Sequence, residues 1–328
     1  MNYSKLIRIS KLYKDLDMTK SYFFNMSKLA YRKIHKKEKV STKIARNKIL
    51  SSHDGNTRLK EAIELGKPFL AGRLGSSEVG AMFAIESYTK GLSKDLVESY
   101  LTILKVNAGF FLNSQKSLEL QYKEFLNLYT RSISNADYLF TFQVPLEDYY
   151  LHKYFNGKLF EPTGIEPYYF DVPWSSTLTD KKVVVVHPFA DTILNQYQRS
   201  NKLFHNKEIL PHFDLRVVKA VQSIAGTPTG FDSWFEALEH MYQEVISEDF
   251  DIAIIGCGAY GFPLASKVKE YGKIAIHMGG ATQVLFGIKG NRWERILNIK
   301  SLFNEHWVRP SNDEKPEDSH KVEDACYW

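Results

Sequence analysis

An arginine and a glutamate flank a glycine turn at residues 73–78 (RLGSSE). The turn follows an apolar run at 68–72, which predicts a buried strand, and precedes a helix that is predicted to start at 77. Arg73 can clamp a phosphate in a bidentate manner. Glu78 can ligate a divalent ion or contact a sugar, although it can also serve only the helix dipole. Because ligands of open α/β sheets bind where strands end and helices begin, we predict that this turn is the first edge of an active site. Three later strand ends complete the predicted site, and the substrate contacts here are Arg73, Gly75 and Ser76.

The clearest glycine pattern is G-x-G-x-x-G at residues 256–261, between a predicted strand at 251–256 and a predicted helix at 263–271. Glycines let the backbone approach a phosphate, and a helix N-terminus favours the anion. A nicotinamide site also needs an acid about 20 positions further on, whereas the next strand ends in His277 without a nearby Asp or Glu. The pattern therefore favours another phosphate-bearing ligand over NAD, and a tight turn without a ligand stays open. The predicted contacts are Gly256, Gly258, Tyr260 and Gly261.

The following strand end, residues 277–283 (HMGGATQ), again combines paired glycines with small polar side chains. Exposed backbone N–H groups at such a turn fit a cradle for a pyrophosphate or a sugar. A plain turn between strand and helix is the alternative. The predicted substrate contacts are His277, Gly279, Gly280, Thr282 and Gln283.

Residues 187–191 (HPFAD) bring an imidazole and a carboxylate to a third strand end. Asp191 can act as a general base towards an acceptor hydroxyl, or as the N-cap of the next helix, and the two roles are compatible. We predict that Asp191, Glu78 and His187 are the catalytic residues. Weaker candidates are Asn107, Gln222, Ser223, Arg292, Trp293, Glu305, His306 and Trp307, of which the two tryptophans can stack on a base or a sugar.

Strand patterns that alternate with helical patterns must position these turns. They predict an α/β fold, a Rossmann-like, doubly wound and mainly parallel sheet, with a basic helical N-terminal extension. We expect an arm at 1–60, a catalytic domain at 61–310 and an acidic tail at 311–328 that is mobile until its last residues. Residues 1–50 are predicted to be helical, 51–56 a loop with an Asp-Gly turn, and 143–180 irregular.

The first 60 residues contain sixteen Lys or Arg and four acids. Apolar side chains lie between these lysines, so an anionic membrane surface is one predicted partner. A solvated helix that contacts only its own domain stays open, and nucleic acid is not the expected partner. With two cysteines, no secretory signal pattern and no apolar run of roughly 18 residues, we expect a cytoplasmic protein, with the arm at the inner face of the cell membrane. A homo-oligomer is compatible with the sequence.

Residues 73–78 resemble the Arg-x-Gly-Asp-Gly-Glu motif of the GT-D class of glycosyltransferases. Residues 251–261 and 277–280 resemble the glycine-rich strand of that class and the strand after it, so the resemblance covers roughly residues 65–300 in outline. It implies a single Rossmann-like domain that transfers a sugar from a nucleotide donor, in bacterial surface-polysaccharide, capsule or protein-glycan assembly. The acidic pair of the class is associated with a divalent cation, Mn or Mg. Here Ser76 replaces the Asp and Glu78 keeps the Glu, and because a hydroxyl is a poorer ligand for a hard cation, the resemblance leaves metal use in question.

These features together predict a hexosyltransferase-like glycosyltransferase. The donor is expected to be a nucleotide-diphosphate sugar, with UDP as the nucleotide, and the acceptor a surface polysaccharide or another glycan, free or lipid-linked. Two other hypotheses stay open. The glycine pattern allows an NAD(P)-dependent oxidoreductase, and Ser76 allows a non-catalytic, membrane-associated assembly protein.

Overall fold

The structure, a computed structural model, describes residues 43–44, 47–91 and 94–328. Within these residues one sheet has the strand order β1-β2-β5-β4-β3-β9-β8-β6-β7. β1 pairs with β2 in antiparallel fashion, and every other pairing is parallel. The strands are β1 (Lys43–Ile44), β2 (Asn47–Leu50), β3 (Leu70–Gly72), β4 (Tyr138–Phe140), β5 (Lys158–Phe160), β6 (Lys182–His187), β7 (Asp214–Lys219), β8 (Ile252–Ile255) and β9 (Ile274–His277). The predicted Rossmann-like, mainly parallel α/β fold is confirmed.

Helices cover both faces of this sheet, and none in the described part of the chain is long and apolar enough to cross a membrane. They are α1 (Ser52–Leu65), α2 (Ser76–Thr89), α3 (Lys94–Ala108), α4 (Leu118–Asn135), α5 (Glu147–Tyr154), α6 (Ala190–Tyr197), α7 (Ser200–Leu203), α8 (Trp234–Ser247), α9 (Gly261–Glu270), α10 (Thr282–Leu285), α11 (Asn291–Glu294) and α12 (Leu297–Lys300).

The run of four valines in β6 shows why the sheet is covered twice. Val184 and Val186 pack into the core on one face, and Val183 and Val185 pack into the core on the other. Successive side chains of a strand point to opposite faces, so a continuous apolar run is typical of a strand buried on both sides.

The strand order brings the predicted turns together. β3, β9, β8 and β6 are consecutive neighbours in the sheet, and they are parallel, so their carboxyl ends lie at one edge. The turns that follow these four strands are those that begin at Arg73, Met278, Gly256 and Pro188.

Two predictions at the start of the described chain are wrong. Residues 43–44 and 47–50 form strands rather than a helix, because Ile49 pairs with Leu159 of β5 at the end of the sheet. The expected loop at 51–56 is the first part of α1. Ser51 and Asp54 cap each other's backbone N–H groups in a capping box, and this local chemistry starts the helix where an Asp-Gly turn was expected. The rest of the predicted basic arm lies outside the described residues, and the domain boundaries at 60 and 310 stay predictions.

The connection at 143–180 contains α5 and β5, which the sequence reasoning missed. The expectation of a mobile tail is also wrong. In the tail Glu314, Val322 and Trp328 are buried, and Trp328 Nε1 donates a hydrogen bond to the Glu314 carbonyl at 3.2 Å. The acidic composition of the tail predicted a solvent-exposed segment. The aromatic and aliphatic residues between the acids instead pack into the core and hold the tail in place.

Candidate functional site

A cavity of about 550 Å³ lies at the carboxyl ends of β3, β9, β8 and β6. Most of the residues that the sequence predicted for the site line it: Arg73, Gly75, Ser76, Glu78, His187, Gly256, Gly258, Tyr260, His277, Gly279, Gly280 and Gln283. Asn107, Gln222, Ser223, Arg292 and Trp293 also line the cavity, whereas Asp191, Gly261, Thr282, Glu305, His306 and Trp307 do not. The structure thus brings together four turns that are far apart in the sequence, as the sheet rule requires.

Arg73 is not a free cation. Its guanidinium forms a buried ion pair with Glu166 and donates to the Pro162 carbonyl at 2.9 Å. It also lies over the Phe142 ring, 5.1 Å from the centroid, and its Nε is buried without a hydrogen-bond partner among the described residues. Tyr168 donates its hydroxyl to the same Glu166 at 2.9 Å. A ligand phosphate must therefore share Arg73 with Glu166, a cavity residue that sequence reasoning missed because it lies in the connection that looked irregular.

Glu78 lies in the first turn of α2, whose N-cap is Gly75. Burial raises the pKa of the Glu78 carboxyl, and among the described residues no ion pair reaches it. The remaining lining acids, Glu166 and Glu323, each have an arginine partner. Glu78 is therefore the lining carboxylate best placed to exchange a proton with a ligand.

At two positions of the G-x-G-x-x-G turn a side chain larger than that of glycine would collide with its neighbours. Gly258 has a φ of +58°, and a Cβ there would lie 2.8 Å from the Ala108 carbonyl oxygen. A Cβ at Gly261 would overlap the His277 ring. Gly261 therefore permits the close packing of α9 on β9, although it does not itself line the cavity.

The two histidines in the cavity wall are held as opposite tautomers. His277 Nδ1 lies 3.2 Å from the Ile255 carbonyl oxygen, so it donates and leaves Nε2 as an acceptor. His187 Nδ1 accepts the Phe189 N–H at 3.0 Å, so its proton is on Nε2. Burial lowers the pKa of His187 to about 3 and that of His277 to about 4. Both rings are thus neutral at pH 7, one as an acceptor and one as a donor.

Asp191 neither lines the cavity, as expected of a general base, nor caps α6. Its exposed carboxylate pairs with Lys219 at 3.3 Å on the surface, outside the cavity. The N-cap of α6 is Phe189, whose side chain cannot cap. The buried Glu314 of the tail caps the helix instead, accepting the Asp191 and Thr192 N–H groups at 2.9 and 3.1 Å. A cap from a residue so distant along the chain leaves no local sequence signal.

The tail also forms one wall of the cavity, through Glu323, Tyr327 and Trp328. Arg292 pairs with Glu323 and donates to the Tyr327 hydroxyl at 3.1 Å. Gln283 donates its amide to the Tyr327 carbonyl at 3.2 Å. Two polar atoms of residues in this wall, Gln283 Oε1 and Trp293 Nε1, are buried without a partner among the described residues. Unpaired acceptors and donors of this kind cost free energy that a polar ligand can offset.

Tyr260 is fixed by its neighbours. Its ring stacks on Trp234 with centroids 5.0 Å apart. Its hydroxyl lies 2.7 Å from Ser223 Oγ, and that oxygen donates to the Gly109 carbonyl at 2.5 Å. Tyr260 therefore donates to Ser223 and holds the end of α3 against the glycine turn.

The described residues contain no group of three or more His, Cys, Asp or Glu side chains that could hold a metal ion. The proposed ligand Glu78 has Ser76 beside it in place of a second carboxylate. This donor set does not fit a resident divalent cation, so no step below depends on one.

No protein-family model and no curated protein matches this chain. Solved structures match it across 80% of its length. One is described as a new glycosyltransferase (domain of unknown function 1792) from Streptococcus sanguinis, with 11% identity, 98% of that chain covered and a TM-score of 0.38. A second is described as domain of unknown function 1792 with a distinct glycosyltransferase fold, with 11% identity, 94% of that chain covered and a TM-score of 0.35. A selenomethionine-substituted structure of the same domain has 10% identity, 94% of that chain covered and a TM-score of 0.36. Similarity of this size does not determine what the present chain does.

Proposed function

We propose that this protein is a glycosyltransferase that binds a nucleotide-diphosphate sugar in the cavity. The observation that carries the proposal is the convergence of four strand ends on one cavity that contains glycine turns, a helix N-terminus and the unpaired carboxylate of Glu78. The cavity volume lies within the range of roughly 300–1,000 Å³ typical of small-molecule sites. The motif resemblance at residues 73–78 favours sugar transfer over other phosphate chemistry.

In this proposal the diphosphate lies against the glycine turns at 256–261 and 277–283 and the first turn of α2. Val79 N–H bonds to the Gly75 carbonyl, and the Glu78 N–H bonds to the carboxylate of its own side chain. The N–H groups of Ser76 and Ser77 have no partner inside the helix and are available to an anion. Oriented N–H dipoles stabilise the charge that builds on the leaving diphosphate, without reorganisation during the reaction. Arg73 and Arg292 add positive charge that their acid partners partly neutralise.

Glu78 replaces Asp191 as the proposed general base. It accepts the proton of the acceptor hydroxyl while the acceptor oxygen bonds to the anomeric carbon of the sugar and the bond between that carbon and the diphosphate breaks, with the nucleoside diphosphate as the leaving group. Its raised pKa suits this role. His277 Nε2 is a second acceptor in the wall, suited to orient a hydroxyl. Uridine as the base and a surface glycan as the acceptor are proposed from the motif resemblance alone.

Ligand binding is tested by thermal shift with uridine, guanosine and cytidine nucleotide sugars and with NAD(P), each with and without manganese. At a ligand concentration of about 100 Kd, binding stabilises by about 2.7 kcal/mol, which is a shift of about 4 °C in a chain of this size. Stabilisation by a uridine nucleotide sugar is expected. Stabilisation by NAD alone would support an oxidoreductase instead, and no response to any ligand would support a non-catalytic assembly protein.

The role of Glu78 is tested with Glu78→Gln. The matched control is Glu119→Gln, because Glu119 is an exposed residue of α4. We expect Glu78→Gln to abolish transfer and to raise Tm at pH 7–8. The sign follows from the raised pKa: the partly buried Glu78 carboxyl is stabilising while protonated, and this contribution is lost as pH rises through its folded-state pKa. The gain in Tm should vanish near pH 4. Full transfer activity in Glu78→Gln would remove this residue from the mechanism.

A further inference from the structure

The most exposed large apolar side chain in the described part of the chain belongs to a segment that also lines the cavity. Leu297 is 80% exposed and its neighbour Ile296 is 38% exposed. Both belong to residues 291–300, which contain α11 and α12 and are called here the rim hairpin. Ile296, Ile299 and Trp293 of this hairpin also line the cavity. One short segment therefore forms part of the cavity wall and presents an aliphatic tip to solvent.

The charges on the rim hairpin favour an anionic partner. Residues 291–300 contain three cations and one acid. The acid, Glu294, is held by Arg309, and Arg292 is held by Glu323. Arg295 and Lys300 are exposed on either side of the aliphatic tip, and within the described residues no ion pair reaches either of them. The outward face of the hairpin is therefore two aliphatic side chains between two unpaired cations.

This combination is the pattern with which peripheral proteins contact membranes. Apolar side chains enter the boundary between headgroups and acyl chains, and adjacent Lys and Arg attract anionic lipids. Burial of an exposed leucine in a bilayer is favourable by about 1.5–3 kcal/mol, and here the leucine lies between two unpaired cations that an anionic surface would attract. We propose that the rim hairpin docks on the surface of an anionic phospholipid bilayer, with Leu297 inserted and with Arg295 and Lys300 among the headgroups.

Docking through the rim hairpin would place the cavity mouth at the bilayer surface, because Ile296 belongs to both. An acceptor with a lipid anchor would then reach the cavity without leaving the membrane. This consequence for the acceptor rests on the proposed glycosyl transfer, whereas the docking itself does not.

The experiment uses the full chain and vesicles of phosphatidylcholine with or without phosphatidylglycerol. Leu297→Cys carries an environment-sensitive nitrobenzoxadiazole dye, and Leu120→Cys carries the same dye as the control. Leu120 is 66% exposed on α4, outside the rim hairpin, and the two native cysteines are buried. We expect dye emission to rise at position 297, and not at 120, only with anionic vesicles. Leu297→Ser should bind these vesicles about tenfold more weakly, and Leu120→Ser should bind as the unmodified chain does.

Vesicle binding without a change at position 297 would overturn the proposal and would assign binding to another part of the chain. No vesicle binding at all would also overturn it. Loss of self-association in Leu297→Ser, with vesicle binding unchanged, would assign the tip to a second copy of the chain instead. Thermal shift with the nucleotide sugar in Leu297→Ser separates the two proposals, because Leu297 does not line the cavity and donor binding should be unaffected.

Discussion

Replacing Glu166 by Gln tests whether the buried ion pair organises the first edge of the cavity. The side chains of Arg73 and Glu166 are only 7% and 10% exposed, so removal of the carboxylate charge leaves a buried guanidinium without a counter-charge. Such a loss costs about 3–5 kcal/mol. Gln keeps a carbonyl acceptor for Arg73 and Tyr168. The free energy of unfolding should therefore decrease by about 3 kcal/mol in Glu166→Gln and by about 5 kcal/mol in Glu166→Ala.

The free energy of unfolding from urea titration and the Tm from calorimetry measure this cost. In a chain of this length, about 3 kcal/mol corresponds to a fall in Tm of about 4 °C. The matched control is Glu270→Gln, because Glu270 pairs with Arg131 at the surface, where the side chains are 37% and 71% exposed. An exposed pair contributes at most about 1 kcal/mol. If Glu166→Gln lowers the free energy of unfolding no more than Glu270→Gln does, the buried pair does not stabilise the cavity edge as proposed.

The same variant separates the structural role of Glu166 from a role in binding. Without its carboxylate charge, Arg73 faces the ligand as a full cation, so affinity for the nucleotide sugar should rise by roughly fivefold, or about 1 kcal/mol. Arg73→Met should instead weaken binding. A fall in affinity in Glu166→Gln, measured by calorimetric titration, would show that Glu166 itself contacts the ligand and would refute the competition between the acid and the phosphate.

Three further results are expected. Gly261→Ala should cost about 1–3 kcal/mol because its Cβ would overlap the His277 ring, whereas a Cβ at Gly230 meets nothing within 4 Å and Gly230→Ala should be nearly neutral in urea titrations. Glu314→Gln should lower the free energy of unfolding by about 1–3 kcal/mol, because an amide cannot accept every N–H and hydroxyl donor around it. It should also make the tail more sensitive to proteolysis. Glu317→Gln, at an exposed position, should have neither effect. The contribution of His187 and His277 to stability should fall as pH drops from about 6.5 towards 4, since the unfolded chain takes up protons that these buried rings resist. Glu147, whose pKa burial raises to about 7, contributes in the opposite direction. A His187→Gln variant should flatten that part of the curve of Tm against pH, and an unchanged curve would contradict the pKa assigned to His187.

Much of the fold follows from patterns that are local in the sequence. A short stretch of sequence is enough to predict such an element. Examples are the valine run of β6, the helical spacing of apolar residues in α4 and the glycine turn after β8. The sequence pattern of a capping box at the start of α8 is only half realised: Ser233 accepts the Glu236 N–H, whereas the Glu236 carboxylate accepts the Asp232 N–H instead of that of Ser233. Elements with weak local signals were missed. β2 and β5 are short strands whose identity depends on pairing with each other, and no window of sequence contains both.

The site shows the same division. The four turns were predictable, because parallel strands place their carboxyl ends on one edge and each turn has its own glycine or polar signature. Their partners were not predictable. Glu166 and Glu323 come from the connection and the tail, and both reach the cavity by packing rather than by any motif. Asp191 was misassigned for the same reason, since Glu314 takes over the capping role and leaves the Asp191 carboxylate at the surface.

The distribution of charge in the cavity indicates how an anion can bind there. Two arginines line the cavity, and each is held by an acid from a distant part of the chain, so neither arginine offers its full charge. The N–H groups of the glycine turns carry no such counter-charge, whereas the first turn of α2 holds the Glu78 carboxyl, which accepts the Glu78 N–H. Glu78 opposes an anion only when it is ionised, and its raised pKa makes the neutral form easier to reach. A diphosphate is therefore expected to contact backbone dipoles first and to share the arginines second. In the proposed reaction such an arrangement holds the ligand by oriented neutral groups, and it is the ionised form of Glu78 that takes up the proton of the acceptor hydroxyl.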